Sequence, residues 1–245
     1  MITEKVFSYS SPFDIINICS VNKYYYKKMD EYLLMSKEDD NFLVLNEGEY
    51  FFNDIDFKKY TIGVGTVIIK LEDENFKNCK NTIKNIEFEL SKPCVINDST
   101  IFLEDCILNA TTKDAVLDIL SSNVCMTFCC INKFQDFCMA IDSDVNFFNT
   151  CFNEVSAPIV GMRTRSDIFD CRFIKCKDSV SYIDKFRVVL RNTLFLDCQH
   201  SIFIHSEKNK NHLEIGTCLY SKTSDPIVKL ESCRNFVDIY SNSSC

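Results

Sequence analysis

Glycine and proline are scarce in this 245-residue chain, at 5 and 4 residues, and tryptophan is absent. Without those two punctuating residues, Asn, Asp and Ser must carry most turns, because they tolerate left-handed backbone and bond locally. No apolar run approaches the length of a membrane-spanning helix, about 18 residues, so no membrane partner is expected. The opening MITEKVFSYSSPFDII has no uninterrupted apolar stretch of the kind a secretory signal needs. A reducing, cytoplasmic setting follows, and the 15 cysteines read as free thiols rather than a disulfide framework. An excess of basic charge is also missing. The net charge of −8 disfavours unspecific nucleic-acid binding, which needs a basic footprint.

What the chain does contain is a repeat. The segments IKNIEF, LEDCIL, TFCCIN, FNTCFN, IFDCRF, LRNTLF and IGTCLY align on Ile86, Cys106, Cys130, Cys151, Cys171, Thr193 and Cys218. The intervals in that column are 20, 24, 21, 20, 22 and 25 residues. A stride of about 22 is close to one coil of a parallel β-helix and too short for most paired-helix repeats. Three positions earlier stand Ile83, Leu103, Thr127, Phe148, Ile168, Leu190 and Ile215; two positions later stand Phe88, Leu108, Asn132, Asn153, Phe173, Phe195 and Tyr220. An odd step on one side and an even step on the other break strict strand alternation, so one residue must reset the phase. The column just before the cysteines, Asn85, Asp105, Cys129, Thr150, Asp170, Asn192 and Thr217, supplies it. Each coil then reads as strand, one-residue left-handed corner, strand, with the thiol column stacked inside. Residues 41–245 give about nine coils and a rod on the order of 40 Å long.

The segment FLVLNEGEYFFNDIDFKKYTIGVGTVIIK alternates apolar residues and carries Gly48, Gly63 and Gly65 ahead of Val67, Ile68 and Ile69. It resembles the first coils of pectate-lyase-like right-handed β-helices. The fold class expected is therefore mainly β: a right-handed parallel β-helix over 41–245, preceded by a short α-helical segment over 1–40.

That first segment has a helix start at Ser11-Pro12-Phe13-Asp14, with Ser11 as cap and Pro12 in the first turn. Ile15, Ile18, Cys19, Tyr25, Tyr26 and Met29 recur at helical spacing. One reading is a plain helical cap on the first coil. The other is a resemblance: VFSYSSPFDIINICSVNKYYYKKMDEYLL is similar to an F-box, the helical motif that docks on the Skp-type adaptor of a cullin–RING ubiquitin ligase. Val6-Phe7-Ser8-Tyr9, Asp14-Ile15, Val21-Asn22-Lys23, Tyr25 and Asp30 to Leu34 carry it. The pattern's leading Leu-Pro-x-Glu is absent before Val6. The resemblance implies that Val6, Phe7, Pro12, Asp14, Ile15, Ile18, Val21, Tyr25 and Leu34 contact the adaptor, and that the β-helix holds an unknown protein target.

Many β-helices degrade polysaccharides, so catalytic residues matter. Neither Gly-His-Gly nor Arg-x-Lys occurs, and there is no G-x-S-x-G and no Gly-rich phosphate loop. Asp142 and Asp144 form one candidate acid–base pair, against the commoner role of Asp as a corner former. Arg163, Arg165, Arg172, Asp167 and Asp170 form a second candidate cluster, against a solvated face of ion pairs. No C-x-x-C occurs, and His200, His205 and His212 are the only histidines, so neither a metal nor another cofactor is expected. The expectation is a non-enzymatic substrate adaptor. The alternatives are a carbohydrate-active β-helix enzyme and a purely structural interaction rod.

Overall fold

A computed structural model describes residues 41–57, 59–205, 211–223, 229–231 and 237–240. The helical segment expected over 1–40, with every adaptor-contact residue assigned to it, lies outside the described residues.

Every strand pairing among the described residues is parallel. The strands stack into three sheets of ten, nine and eight members, each strand pairing with the equivalent strand one turn later. The chain is a mainly β parallel solenoid. It has eight complete turns, from the strand Tyr60–Gly63 to the strand Lys229–Glu231, with a partial turn at either end. Among the described residues this agrees with the roughly nine coils that the stride suggested. The fourth turn is typical: Asn123–Thr127 in the first sheet, Cys130–Asn132 in the second, Asp136–Ile141 in the third.

Each turn therefore has three strands and three corners, not the two strands joined by one corner read from the repeat. Most corners are single residues at positive φ; between the second and third sheets the first three turns use longer connections, 72–74, 91–93 and 111–116. In the fourth and fifth turns these are Phe128, Lys133 and Asp142, then Asn149, Glu154 and Arg163, with φ from 49° to 63°. Of the 20 non-glycine residues at positive φ, 11 are Asn or Asp. This is how a glycine-poor chain makes so many bends, since those side chains bear left-handed backbone most cheaply.

The corner between the first and second sheets corrects the repeat alignment. Its residues are Asn85, Asp105, Phe128, Asn149, Asp170, Asn192 and Thr217. Cys129 and Thr150 are thus not corners but the inward residues just after them. Cys130 and Cys151, expected inside, stand half-buried on the outer face. Shifting the fourth and fifth turns by one residue repairs every column. The inward residue after the corner becomes Ile86, Cys106, Cys129, Thr150, Cys171, Thr193 and Cys218, none more than 2% exposed. The column three before it becomes Ile83, Leu103, Met126, Phe147, Ile168, Leu190 and Ile215, all buried. Thr127, Phe148, Asn132 and Asn153, first assigned to inward columns, face out.

A corner turns a backbone carbonyl toward the interior, where it needs a donor. A small side chain ending in a hydroxyl or thiol supplies one without filling the core. Cys106 Sγ donates to Glu104 O at 3.3 Å and Cys171 Sγ to Phe169 O at 3.3 Å. Thr150 Oγ1 donates to Phe148 O at 3.1 Å. The corner between the third and first sheets repeats the device with Ser99, Ser122 and Ser143, whose Oγ atoms reach the carbonyl two residues back at 2.6–2.7 Å. The corner after the second sheet uses Cys176 and Cys198. The repeat's taste for Cys, Ser and Thr follows from this demand.

Candidate functional site

Alternation along each strand sends one set of side chains into the core and the other to solvent, so function must be sought on three outward faces and their corners. On the first sheet, one outward column runs Asn123, Asp144, Arg165, Arg187 and His212. Beside it stands Asp167, held by Arg187 (Nη1 to Oδ1 3.1 Å). The next column places Phe148 and Phe169 edge-on at 5.6 Å, with the Arg191 guanidinium 6.0 Å from the Phe169 ring and paired to Glu214.

The sequence-predicted acids do not converge. Asp142 is a corner residue at the head of the first sheet, and Asp170 a corner residue at its far end. About seven residues of extended chain, roughly 20 Å, separate those two edges. Of the expected acid–base pair, Asp142 is the corner residue held by Arg163, and Asp144 opens the strand Asp144–Phe148 two residues on. Arg163 grips Asp142 through two bonds, Nε to Oδ1 and Nη2 to Oδ2, each 2.7 Å. These bonds hold the Asp142 carboxyl below the usual carboxylate range and raise Arg163 further. Arg172 faces out from the second sheet, away from Asp167. Asp144 and Asp167 come nearest to a pair. They sit diagonally on adjacent rungs, roughly 8 Å apart by sheet geometry.

Acidic and basic groups elsewhere link neighbouring turns. Lys70 bonds Glu49 at 2.6 Å, Lys84 bonds Glu104 at 2.9 Å, and Lys175 bonds Glu154 at 3.1 Å. Asn132 Nδ2 donates to Asn109 Oδ1 at 2.9 Å, and Asn109 Nδ2 to Glu87 Oε1 at 2.6 Å, an outward ladder on the second sheet. The exposed Lys70 and Lys175 pairs contribute about 0–1 kcal/mol each, whereas Lys84 is buried.

The histidines are dispersed. His200 Nδ1 lies 2.7 Å from Asp178 Oδ1 on the third sheet. His212 is exposed at the head of a first-sheet strand, 3.9 Å from Glu214. His205 ends the third-sheet strand His200–His205. Among the described residues no group of three or more His, Cys, Asp or Glu is placed to hold a metal ion, and no helix is long and apolar enough to cross a membrane.

The feature that the repeat alignment hid is apolar. Phe128 is a corner residue at φ 55° and 56% exposed. An aromatic residue there is a conformational outlier, in a column otherwise held mostly by Asn and Asp. In the preceding turn, on either side of the same corner, Phe102 is 44% exposed on the first sheet and Ile107 is 40% exposed on the second. Phe102 stands three residues before the Asp105 corner and Ile107 two after it. A cost in backbone strain, combined with exposure of the side chain that incurs it, marks a contact residue better than a packing residue. Counting the stride from the true corner column would have exposed Phe128 as the odd residue.

No protein-family model matches the sequence, and no curated protein matches it. Among solved structures, the chain is similar to the catalytic domain of a GH87 alpha-1,3-glucanase in complex with nigerose, at 7% identity and a TM-score of 0.30. The match covers 82% of this chain and spans 64% of that one.

Proposed function

We propose that the chain is a non-enzymatic substrate adaptor: the solenoid holds a protein target, and residues 1–40 dock a Skp-type adaptor of a cullin–RING ubiquitin ligase. The observation that carries the target-holding half is the exposure of Phe128 in its strained corner, with Phe102 and Ile107 also exposed in the preceding turn. The cross-turn ion pairs fit the same reading, because they commit carboxylates such as Asp142 and Glu214 to neighbouring arginines. The docking half rests on the F-box-like pieces Val6-Phe7, Asp14-Ile15 and Val21-Asn22-Lys23. The test is co-purification of the full chain with a Skp-type adaptor, with and without residues 1–40. Recovery that depends on residues 1–40 supports docking. A folded full chain that never co-purifies overturns it.

The second reading, a carbohydrate-active enzyme, has one observation in its favour. Asp144 and Asp167 stand diagonally on adjacent rungs of the first sheet, where an acid and a base could flank a water once Arg187 releases Asp167. Release of reducing ends or unsaturated products from acidic glycans, abolished by Asp144→Asn, would establish it in place of the adaptor.

A further inference from the structure

We infer that Cys130 and Cys151 form a reversible cross-turn dithiol–disulfide site on the outer face of the second sheet. Neighbouring turns stack two thiols in three places. Cys106 with Cys129 and Cys176 with Cys198 are within 2% of full burial, and their sulfurs are engaged with corner carbonyls. Cys130 and Cys151 are the stacked pair that faces solvent. They are direct register partners on the strands Cys130–Asn132 and Cys151–Asn153, and both are half-buried.

Parallel neighbours lie about 4.8 Å apart, within the Cα separation of about 4.4–6.8 Å that a disulfide spans. Bond formation requires the Cβ atoms to close by about 1 Å. These are three-residue strands, the shortest of their turns.

One neighbour favours a thiolate. Arg172 stands on the next rung of the same column and lowers the cost of charge at Cys151. While protonated, Cys130 Sγ donates to Asn132 Oδ1 at 3.4 Å, a bond it must give up on ionising. Two stacked thiols can share one proton, so either sulfur can attack while its partner resolves.

With a low-molecular-weight disulfide such as oxidised glutathione, one thiolate, for instance that of Cys130, attacks one sulfur and expels a glutathione thiolate. Cys151 then attacks the Cys130 sulfur of the mixed disulfide and expels the second. The two protein thiols are oxidised to one disulfide, and one glutathione disulfide is reduced to two thiols. The proton from each protein thiol ends on one of the two glutathiones. Closure would staple the fourth turn to the fifth two residues from Phe128. The inference is independent of the adaptor reading.

The test treats the reduced full chain with oxidised glutathione, blocks the remaining thiols, digests it and maps the peptides by mass. The expected product is a linked pair carrying Cys130 and Cys151, lighter by two hydrogens than the reduced peptides. Cys125 is the internal control: it is half-buried and outward, but its register neighbours are Phe102 and Asn146. It should be recovered unlinked. In Cys151→Ser, Cys130 should retain a stable glutathione adduct, because nothing resolves it. Recovery of Cys130 and Cys151 as separate free thiols or separate adducts in the unmutated chain would overturn the inference. So would a linkage to any other cysteine.

Discussion

The first four complete turns and the last four are built on one plan but filled differently. In the column two residues beyond the inward corner position, Ile69, Phe88, Leu108 and Ile131 occupy the first four turns, one ring among aliphatic side chains. Phe152, Phe173, Phe195 and Tyr220 occupy the fifth to the eighth. Those four rings stack at 4.6, 5.0 and 5.2 Å with interplanar angles of 3°, 9° and 6°. A ring repeated at the strand spacing meets its copy face to face, so one residue type per turn propagates order along the axis. The early turns lack such a column. Their aliphatic branches leave a small cavity of about 30 Å³, lined only by apolar residues including Leu71, Ile83, Phe88, Cys94 and Leu108. The stacked half is therefore expected to be rigid, and the aliphatic half softer where Phe102 and Ile107 are exposed.

The largest effect should come from the middle of the stack. Phe173 touches a ring above and a ring below and is fully buried. Phe173→Ala should cost about 3–5 kcal/mol, near the top of the range for buried aromatics. Leu108→Ala, in the same column of the aliphatic half, should cost about 2–4 kcal/mol. Urea unfolding of both variants checks the order. Equal losses would erase the distinction between the halves.

The second effect tests packing in the third sheet of the stacked half. Gly161 faces Tyr182 one turn later, and a Cβ there would lie 2.4 Å from the ring Cε1 and 2.6 Å from Cδ1. Tyr182 is fully buried, so its ring has nowhere to go. Gly161→Ala should cost about 1–3 kcal/mol through overpacking. Tyr182→Phe keeps the ring, so combining it with Gly161→Ala should restore nothing. Tyr182→Leu, which removes the clashing edge, should restore part of the loss. Thermal unfolding of the single and double variants reads this directly.

The solenoid was legible in the sequence because three of its columns obey hard rules. An inward residue next to a corner must be small and able to donate. Its neighbours must be apolar, and the corner itself must accept positive φ. Cys106, Cys171 and Cys218 mark that pattern plainly. Two adjacent residues, Cys129 and Cys130, both satisfied the thiol rule, and choosing the second displaced two turns by one position. A period-two pattern then sends every side chain to the wrong face. The error concealed the outward dithiol and the outlying Phe128 together. The third strand of each turn was not legible because its spacing drifts. Three residues separate Leu90 from Cys94, but six separate Ala110 from Leu117. No fixed stride survives such a loop. The face of ion pairs weighed for the Arg163–Asp170 stretch is present in part, with Arg163 on Asp142 and Arg187 on Asp167.

A third test separates strain from packing at Phe128. Phe128 holds left-handed backbone that Asn accepts at lower cost, by about 1 kcal/mol. Its ring is mostly in water, so little burial is lost on replacement. Phe128→Asn should thus stabilise the chain by up to about 1 kcal/mol while weakening target capture. A destabilised variant would mean that the ring packs against the fold, and Phe128 would lose its standing as a contact residue.

The smallest effect asks whether the aliphatic half can be brought toward the stacked one. The cavity of about 30 Å³, at about 24 cal/mol per Å³ of void, represents about 0.7 kcal/mol. Cys94 lines it and is fully buried, and burial pushes its thiol up to about 12, so it is neutral across the physiological range. Val adds about one methyl group of volume and suits a strand, which makes Cys94→Val the matched replacement. The variant should unfold at slightly higher urea with an unchanged slope. A loss of stability would show that the void is not reachable from the Cys94 position without moving Leu71 or Leu117. The softness of the early turns would then lie in their backbone corners rather than in an unfilled core.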